Sequence, residues 1–254
     1  YPFQLIFQLL LAVFSFRELK ALLGAGRSIH VLLALGGVLA PNVAPWYALV
    51  DPALPTLHLV LGLTVALQLG IFLAELRVFS EPGQSFERMA RTWWVIAYLG
   101  LLPSFFAQIR WLFPWGSALG SGALALAIFV PKGCDIGAYF TGRAFGRHPM
   151  TPVLSPKKTW EGAAGGLVFA VLVAIGIDRL GSAPVLHGNW LLEIGFGLTV
   201  GLAGMLGDLT ESLIKRDCQR KDASQAVPGF GGVLDVVDAV IFAAPLAYLW
   251  LRMI

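Results

Sequence analysis

Eight apolar runs punctuate the sequence, at 1–16, 29–50, 53–76, 92–113, 117–131, 160–181, 190–206 and 237–254. A hydrocarbon core of roughly 30 Å takes about 20 apolar residues per helical span. Lipid offers no partner for an open backbone hydrogen bond, so runs of this length can only be closed helices. The chain therefore reads as an all-α, polytopic integral membrane protein with about eight transmembrane helices and room for a ninth near 135–145. Composition agrees: 13% of residues are charged, against about 25% in soluble domains, and the mean hydropathy is +0.76. The sequence opens at Tyr1 inside an apolar run, without an initiator Met or a charged leader. We expect its true start to lie upstream.

The few charges are unevenly placed. Half of the Lys and Arg residues fall in two segments, Lys132, Arg143, Arg147, Lys157 and Lys158 in one and Lys215, Arg216, Arg220 and Lys221 in the other. The positive-inside rule turns both toward the cytoplasm, with Arg77, Arg88 and Arg91 marking a third loop on that side. Residues 1–115 carry little polar chemistry and read as a transmembrane scaffold, in which His30, His58 and Gln68 are packing or interfacial residues. Residues 116–254, where acids, bases and glycines interrupt the apolar runs, read as the region of chemistry. Cys134 and Cys218 lack metal-ligand spacing and are given no function. The net charge of +3 is small, and no nucleic-acid partner is expected.

Six acids and four bases crowd into residues 207–238. On a helix, Asp208, Glu211, Ser212 and Lys215 fall at i, i+3, i+4 and i+7 and share a face, with Leu209, Leu213 and Ile214 on the other side. A carboxylate at the centre of a bilayer costs about 2.5–3.5 kcal/mol, so acids here either open a loop or serve a site. Asp235 and Asp238, three apart at the start of the last apolar run, are either dipole partners of that helix or a second half of the same site. Paired carboxylates with bases nearby are what a phosphate-bound Mg²⁺ requires. Gly229, Gly231 and Gly232 permit close backbone approach to a ligand. In "LSPKKTWEG", Ser155 fits an N-cap and Pro156 an N1 residue, which would place Lys157 and Lys158 in the first turn of a helix, as an anion clamp or as a topology anchor. In "CDIGAYFTGRAFGR", Asp135, Tyr139 and Arg143 lie four apart.

The run Ser212, Lys215, Arg216, Lys221, Asp222, Pro228, Gly231, Gly232, Asp235, Asp238 closely resembles the signature of the phosphatidate cytidylyltransferase family, and "DIGAYFTGRAFGR" and "LSPKKTWEG" are similar to family motifs in the same order. The resemblance spans roughly 130–254. It implies transfer of CMP from CTP to phosphatidate with release of pyrophosphate, Mg²⁺ dependence with room for a second cation, and work within the lipid bilayer of a bacterial inner membrane, the active site facing the cytoplasm. A homodimer is compatible with it. It ranks Asp208 and Asp235 first as metal ligands, followed by Glu211 and Asp238, and assigns catalysis to Asp208, Asp235, Lys215, Arg216, Lys221 and Asp222. Substrate binding falls to Asp135, Tyr139, Arg143, Ser155, Lys157, Lys158, Glu161, Ser212, Gly231 and Gly232. Phe230 and Val236 stand where the family has His and Arg, which bears on rate or substrate preference more than on reaction class.

Three other readings compete. A CDP-alcohol phosphotransferase would need an Asp-Gly-x-x-Ala-Arg element and later aspartates four apart, and neither is present. A CTP-dependent lipid kinase is chemically closer and would release CDP. A transporter would carry its acids mid-span in paired half-sequences, whereas these cluster at span ends.

Overall fold

The computed structural model describes residues 2–24, 28–47, 56–114, 116–224, 226 and 231–254. Helices dominate: α1 (Pro2–Leu23), α2 (Val31–Tyr47), α3 (Thr56–Val78), α4 (Ser85–Ile96), α5 (Leu102–Trp111), α6 (Ala118–Phe145), α7 (Trp160–Leu180), α8 (Trp190–Asp217) and α9 (Val233–Met253). A π-turn at Ala97–Leu101 joins α4 and α5 into one continuous rod. It ends two residues before Pro103, which has no N–H to give to Leu99; the Leu102 N–H reaches back five residues to the Ala97 carbonyl. Eight rods thus answer the eight apolar runs. Among the described residues, six of them are long and apolar enough to cross a membrane. The chain is an all-α polytopic membrane protein. The segment 135–145, read above as a ninth span, is instead the second half of α6, which runs unbroken through Pro131.

The chain divides into two compact units. The first comprises Tyr1–Ala107 and Ala223–Leu234. Its polar residues are spent on internal packing. Gln8 Nε2 donates to Asn42 Oδ1 and to the Pro103 carbonyl, both at 2.7 Å, and Asn42 Nδ2 donates to the Val38 carbonyl at 2.7 Å. Glu75 accepts two hydrogen bonds from Arg88 and pairs with His30 Nε2 at 2.7 Å, so His30 is a packing residue as expected. The buried Glu18 carboxylate accepts from the backbone of Val233 and Leu234 and from Ser224 Oγ.

The second unit comprises Gln108–Asp222 and Asp235–Ile254. α6 leads into a two-stranded antiparallel hairpin, β1 (Pro149–Thr151) and β2 (Ser155–Thr159), with Pro149 opposite Thr159 and Thr151 opposite Ser155. α7 leaves from β2. The end of α6, the hairpin, the start of α7, the end of α8 and the start of α9 thus share one end of the unit. At the opposite end, the buried Asp178 accepts from the backbone of Leu186 and Gly188, and Arg179 holds the buried Glu193 at 2.9 Å. α6 and α8 have 28 residues each, about 42 Å at 1.5 Å per residue, longer than a hydrocarbon core. Their surplus turns carry the charges.

Close approach depends on two glycines. A Cβ on Gly166 of α7 would lie 2.7 Å from the Cys134 carbonyl of α6, and one on Gly207 of α8 would lie 2.7 Å from the Asp238 carbonyl of α9. The Gly207 crossing sets the spacing at which α8 and α9 present their acids to each other.

Candidate active site

α8 presents Asp208, Glu211 and Lys215 on one face, as the spacing predicts, while Leu213 is exposed. The helix continues to Asp217, so these acids do not open a loop. Ile214, expected on the far side, is buried as well. Lys215 Nζ lies 2.5 Å from Glu211 Oε2 and 2.6 Å from Asp235 Oδ1, linking α8 to α9. From α6, Lys132 Nζ lies 3.3 Å from both Asp135 Oδ2 and Asp238 Oδ1. From β2, Lys158 Nζ lies 2.5 Å from Asp208 Oδ2. Five carboxylates on three helices therefore meet three ammonium groups.

Asp208, Glu211 and Asp238 each offer a carboxylate oxygen, and these three oxygens lie within 4.8 Å of one another. Glu211 is 1% exposed, and its Oε1 is buried without a hydrogen-bond donor. A buried carboxylate oxygen with no donor is costly unless something positive meets it. An all-oxygen set of this kind suits a hard divalent cation such as Mg²⁺. Asp235, ranked among the first metal ligands by motif, stands beside this trio, its Oδ1 accepting from the same Lys215 Nζ that meets Glu211.

A cavity of about 490 Å³ opens beside the acids, lined by Asp135, Tyr139, Arg143, Lys157, Lys158 and Asp208, with Met150, Ala163 and Met205 as apolar walls. Tyr139 and Arg143 face it together, Arg143 Nη1 donating to the Tyr139 hydroxyl at 3.3 Å. One expectation fails here. Ser155 does not cap a helix, because Ser155–Thr159 is a strand, and Lys157 and Lys158 ride on it outside the helical first turn. Thr159 is the cap, its Oγ1 accepting from the Gly162 N–H at 3.1 Å, while the Trp160 N–H donates to the His148 carbonyl. Pro156 suits an extended strand as well as a helix start, and a two-stranded ribbon tolerates its missing donor.

The remaining motif residues hold parts in place or lie apart. Glu161 Oε2 accepts from the backbone of Arg147 and His148, and Oε1 meets His148 Nδ1 at 2.5 Å, which fixes the hairpin to α7. Arg216 Nε donates to the Leu154 carbonyl at 3.3 Å, bracing the hairpin turn from α8. Ser212 is half-buried on α8, and Lys221 and Asp222 are exposed beyond its end. Gly231, at φ +97°, and Gly232 belong to the first unit, where Gly232 leaves room for the Glu18 carboxylate. Val236 is exposed on α9; Pro228, Gly229 and Phe230 lie outside the described residues. Sequence reasoning left Lys132 among the topology charges and missed Thr159. A lone Lys directly after a proline inside an apolar stretch was the available signal, since such a cation needs a partner.

A model of the cytidylyltransferase family matches residues 2–254. Over 221 residues, 79% of the chain, it is 33% identical to phosphatidate cytidylyltransferase 5, chloroplastic, of Arabidopsis thaliana, of which it covers 54%. It is 36% identical over 156 residues to the phosphatidate cytidylyltransferase of Bacillus subtilis, covering 61% of the chain and 55% of that protein. With the enzyme of the same name from Haemophilus influenzae it shares 45% identity over 112 residues, 44% of the chain and 39% of that protein. The chain spans about half the length of these relatives or less. With a match along almost its whole length and the charged motifs gathered at one end of a helical unit, the chain belongs to the cytidylyltransferase family.

Proposed function

We propose that the second unit transfers CMP from CTP to phosphatidate, yielding CDP-diacylglycerol and pyrophosphate, at the cytoplasmic face of a membrane, in bacteria the inner one. The observation that carries this reading is the junction of a carboxylate trio with a cavity edged by Arg143, Lys157 and Lys158. The relatives' names support the substrates, and the concentration of Lys and Arg at this end of the unit supports the cytoplasmic orientation.

In this reaction a phosphate oxygen of phosphatidate attacks the α-phosphorus of CTP. A new P–O bond forms as the bond to the bridging oxygen breaks, and pyrophosphate leaves with the electron pair. The attacking phosphate monoester has a second pKa of about 6 and is already ionised near neutral pH, so no side chain is required as general base. Mutual repulsion of two polyanions is the barrier the site must lower, by positioning and charge neutralisation. Arg143, Lys157 and Lys158 face the cavity and supply donors for phosphate oxygens. Asp208, Glu211 and Asp238 would hold Mg²⁺, which supplies neutralisation of the phosphate charge when bound. Lys215 keeps Glu211 and Asp235 in register between α8 and α9.

The test is purified protein with labelled CTP, Mg²⁺ and phosphatidate. The reading predicts a lipid-soluble cytidine product and stoichiometric pyrophosphate. Release of CDP with phosphorylated lipid would make the protein a CTP-dependent lipid kinase instead.

A further inference from the structure

We infer that Glu161 and His148 are positioning residues, a clasp at the foot of the hairpin that sets how far Lys157 and Lys158 reach into the cavity, while neither residue touches substrate. This rests on the proposed reading of the cavity as the place where the phosphates of CTP dock. A hairpin with strands of three and five residues does not fix its own place, because a two-stranded ribbon alone is marginally stable in water. Its lysines are only as well placed as its attachments.

Arg216 braces the turn through the Leu154 carbonyl. At the foot, His148 is held three ways: its N–H donates to Glu161 Oε2 at 3.2 Å, its ring Nδ1 lies 2.5 Å from Glu161 Oε1, and its carbonyl accepts from the Trp160 N–H at 3.0 Å. The Arg147 N–H shares Oε2 at 3.1 Å. Both Glu161 oxygens thus serve the hairpin's entry. The cavity lining passes from Thr159 to Gly162 and Ala163 and skips Glu161. A carboxylate aimed at a polyanion would oppose binding, and this one is turned to the hairpin instead. A simple dipole partner in the first turn of α7 would need neither hairpin N–H. The foot also sits tightly on β2, since a Cβ on Gly146 would lie 2.7 Å from Thr159 Oγ1. A shift at the foot therefore reaches Thr159 and, next to it, Lys158.

The test follows detergent-purified full chain by hydrogen–deuterium exchange over residues 147–160 without substrate, and by steady-state kinetics with CTP and UTP. Glu161→Ala is expected to speed exchange there by about tenfold and His148→Ala by about threefold. The KM for CTP should rise by similar factors, about tenfold and about threefold, with a smaller fall in kcat. The double variant should be no worse than Glu161→Ala, because both residues act through one contact. Glu161→Gln keeps an acceptor for the two backbone N–H groups and an N–H for the ring, so it should restore most of the KM. The preference for CTP over UTP should hold in every variant, because the lysines meet phosphates that both nucleotides carry. A Glu161→Gln variant as impaired as Glu161→Ala, or any loss of the CTP preference, puts Glu161 on the substrate and overturns the inference. So does faster exchange in Glu161→Ala with a wild-type KM. Should Glu161→Ala fail to fold, as judged by thermal melting, His148→Ala decides: wild-type exchange and KM in that variant overturn the clasp. If wild type yields no lipid-soluble cytidine product, the CMP-transfer reading falls, and the same variants are compared by CTP binding. Weaker binding with faster exchange then keeps the clasp, and unchanged binding removes it.

Discussion

Lys158 Nζ on the hairpin stands 2.5 Å from Asp208 Oδ2 on α8, with both side chains about a quarter to a third exposed at the cavity edge. The same ammonium group is therefore placed to neutralise either a candidate metal ligand or an incoming phosphate. A cation arriving at Asp208 would compete for this carboxylate and free Lys158 for the nucleotide. We predict that Lys158→Met binds Mn²⁺ more tightly than wild type and raises the KM for CTP by about tenfold or more, the loss of one charge-assisted hydrogen bond of roughly 1.5–3 kcal/mol. Weaker metal binding with an unchanged KM would show that Lys158 only orders the carboxylate.

The trio itself predicts unequal consequences for its acids. Asp208→Asn and Glu211→Gln keep shape but remove a ligand charge, and turnover should fall by at least about a hundredfold in each, with metal affinity lost in parallel. Asp235→Asn should also lower turnover, through Lys215 losing one of its two carboxylate partners. Its Mn²⁺ affinity should stay closer to wild type than that of Asp208→Asn. Equal loss of Mn²⁺ binding in both would promote Asp235 to a direct ligand.

Gly207 tests whether helix spacing sets the site. A Cβ there would lie 2.7 Å from both the Asp238 carbonyl and Phe242 Cβ, so Gly207→Ala must push α8 and α9 apart. Overpacking of this kind costs about 1–3 kcal/mol. Melting temperature should drop, and Mn²⁺ affinity should drop with it because Asp208 and Asp238 separate. A stable protein with wild-type affinity would mean that the cluster tolerates a wider crossing.

Much of this was legible in the sequence. Length and apolarity dictated the helices, and the spacing of Asp208, Glu211 and Lys215 announced a common face. What spacing does not encode is who meets whom across helices. Lys132 and Asp238 are 106 residues apart, and their meeting depends on close crossings such as that of Gly207 against α9. The hairpin escaped for a local reason. Ser-Pro-Lys-Lys-Thr satisfies a helix start on paper, and only the pairing of Ser155 with Thr151 and of Thr159 with Pro149 draws it into a strand. Glu18 escaped because its role is visible only through partners more than 200 residues away.

Thr159 is where hairpin geometry becomes site geometry. Its Oγ1 caps α7 through the Gly162 N–H, and it is the residue at which β2 ends, directly after the two lysines that face the cavity. Thr159→Ala removes the cap and should destabilise the unit by about 1 kcal/mol. It should also loosen Lys157 and Lys158, so the KM for CTP rises while Mn²⁺ binding, which depends on α8 and α9, is retained. Thr159→Ser keeps the hydroxyl and should restore most of both properties. The measurement is a thermal melt with paired kinetics and Mn²⁺ titration for the two variants. An alanine variant with reduced stability but an unchanged KM would confine Thr159 to the fold and leave the lysines held by strand pairing alone.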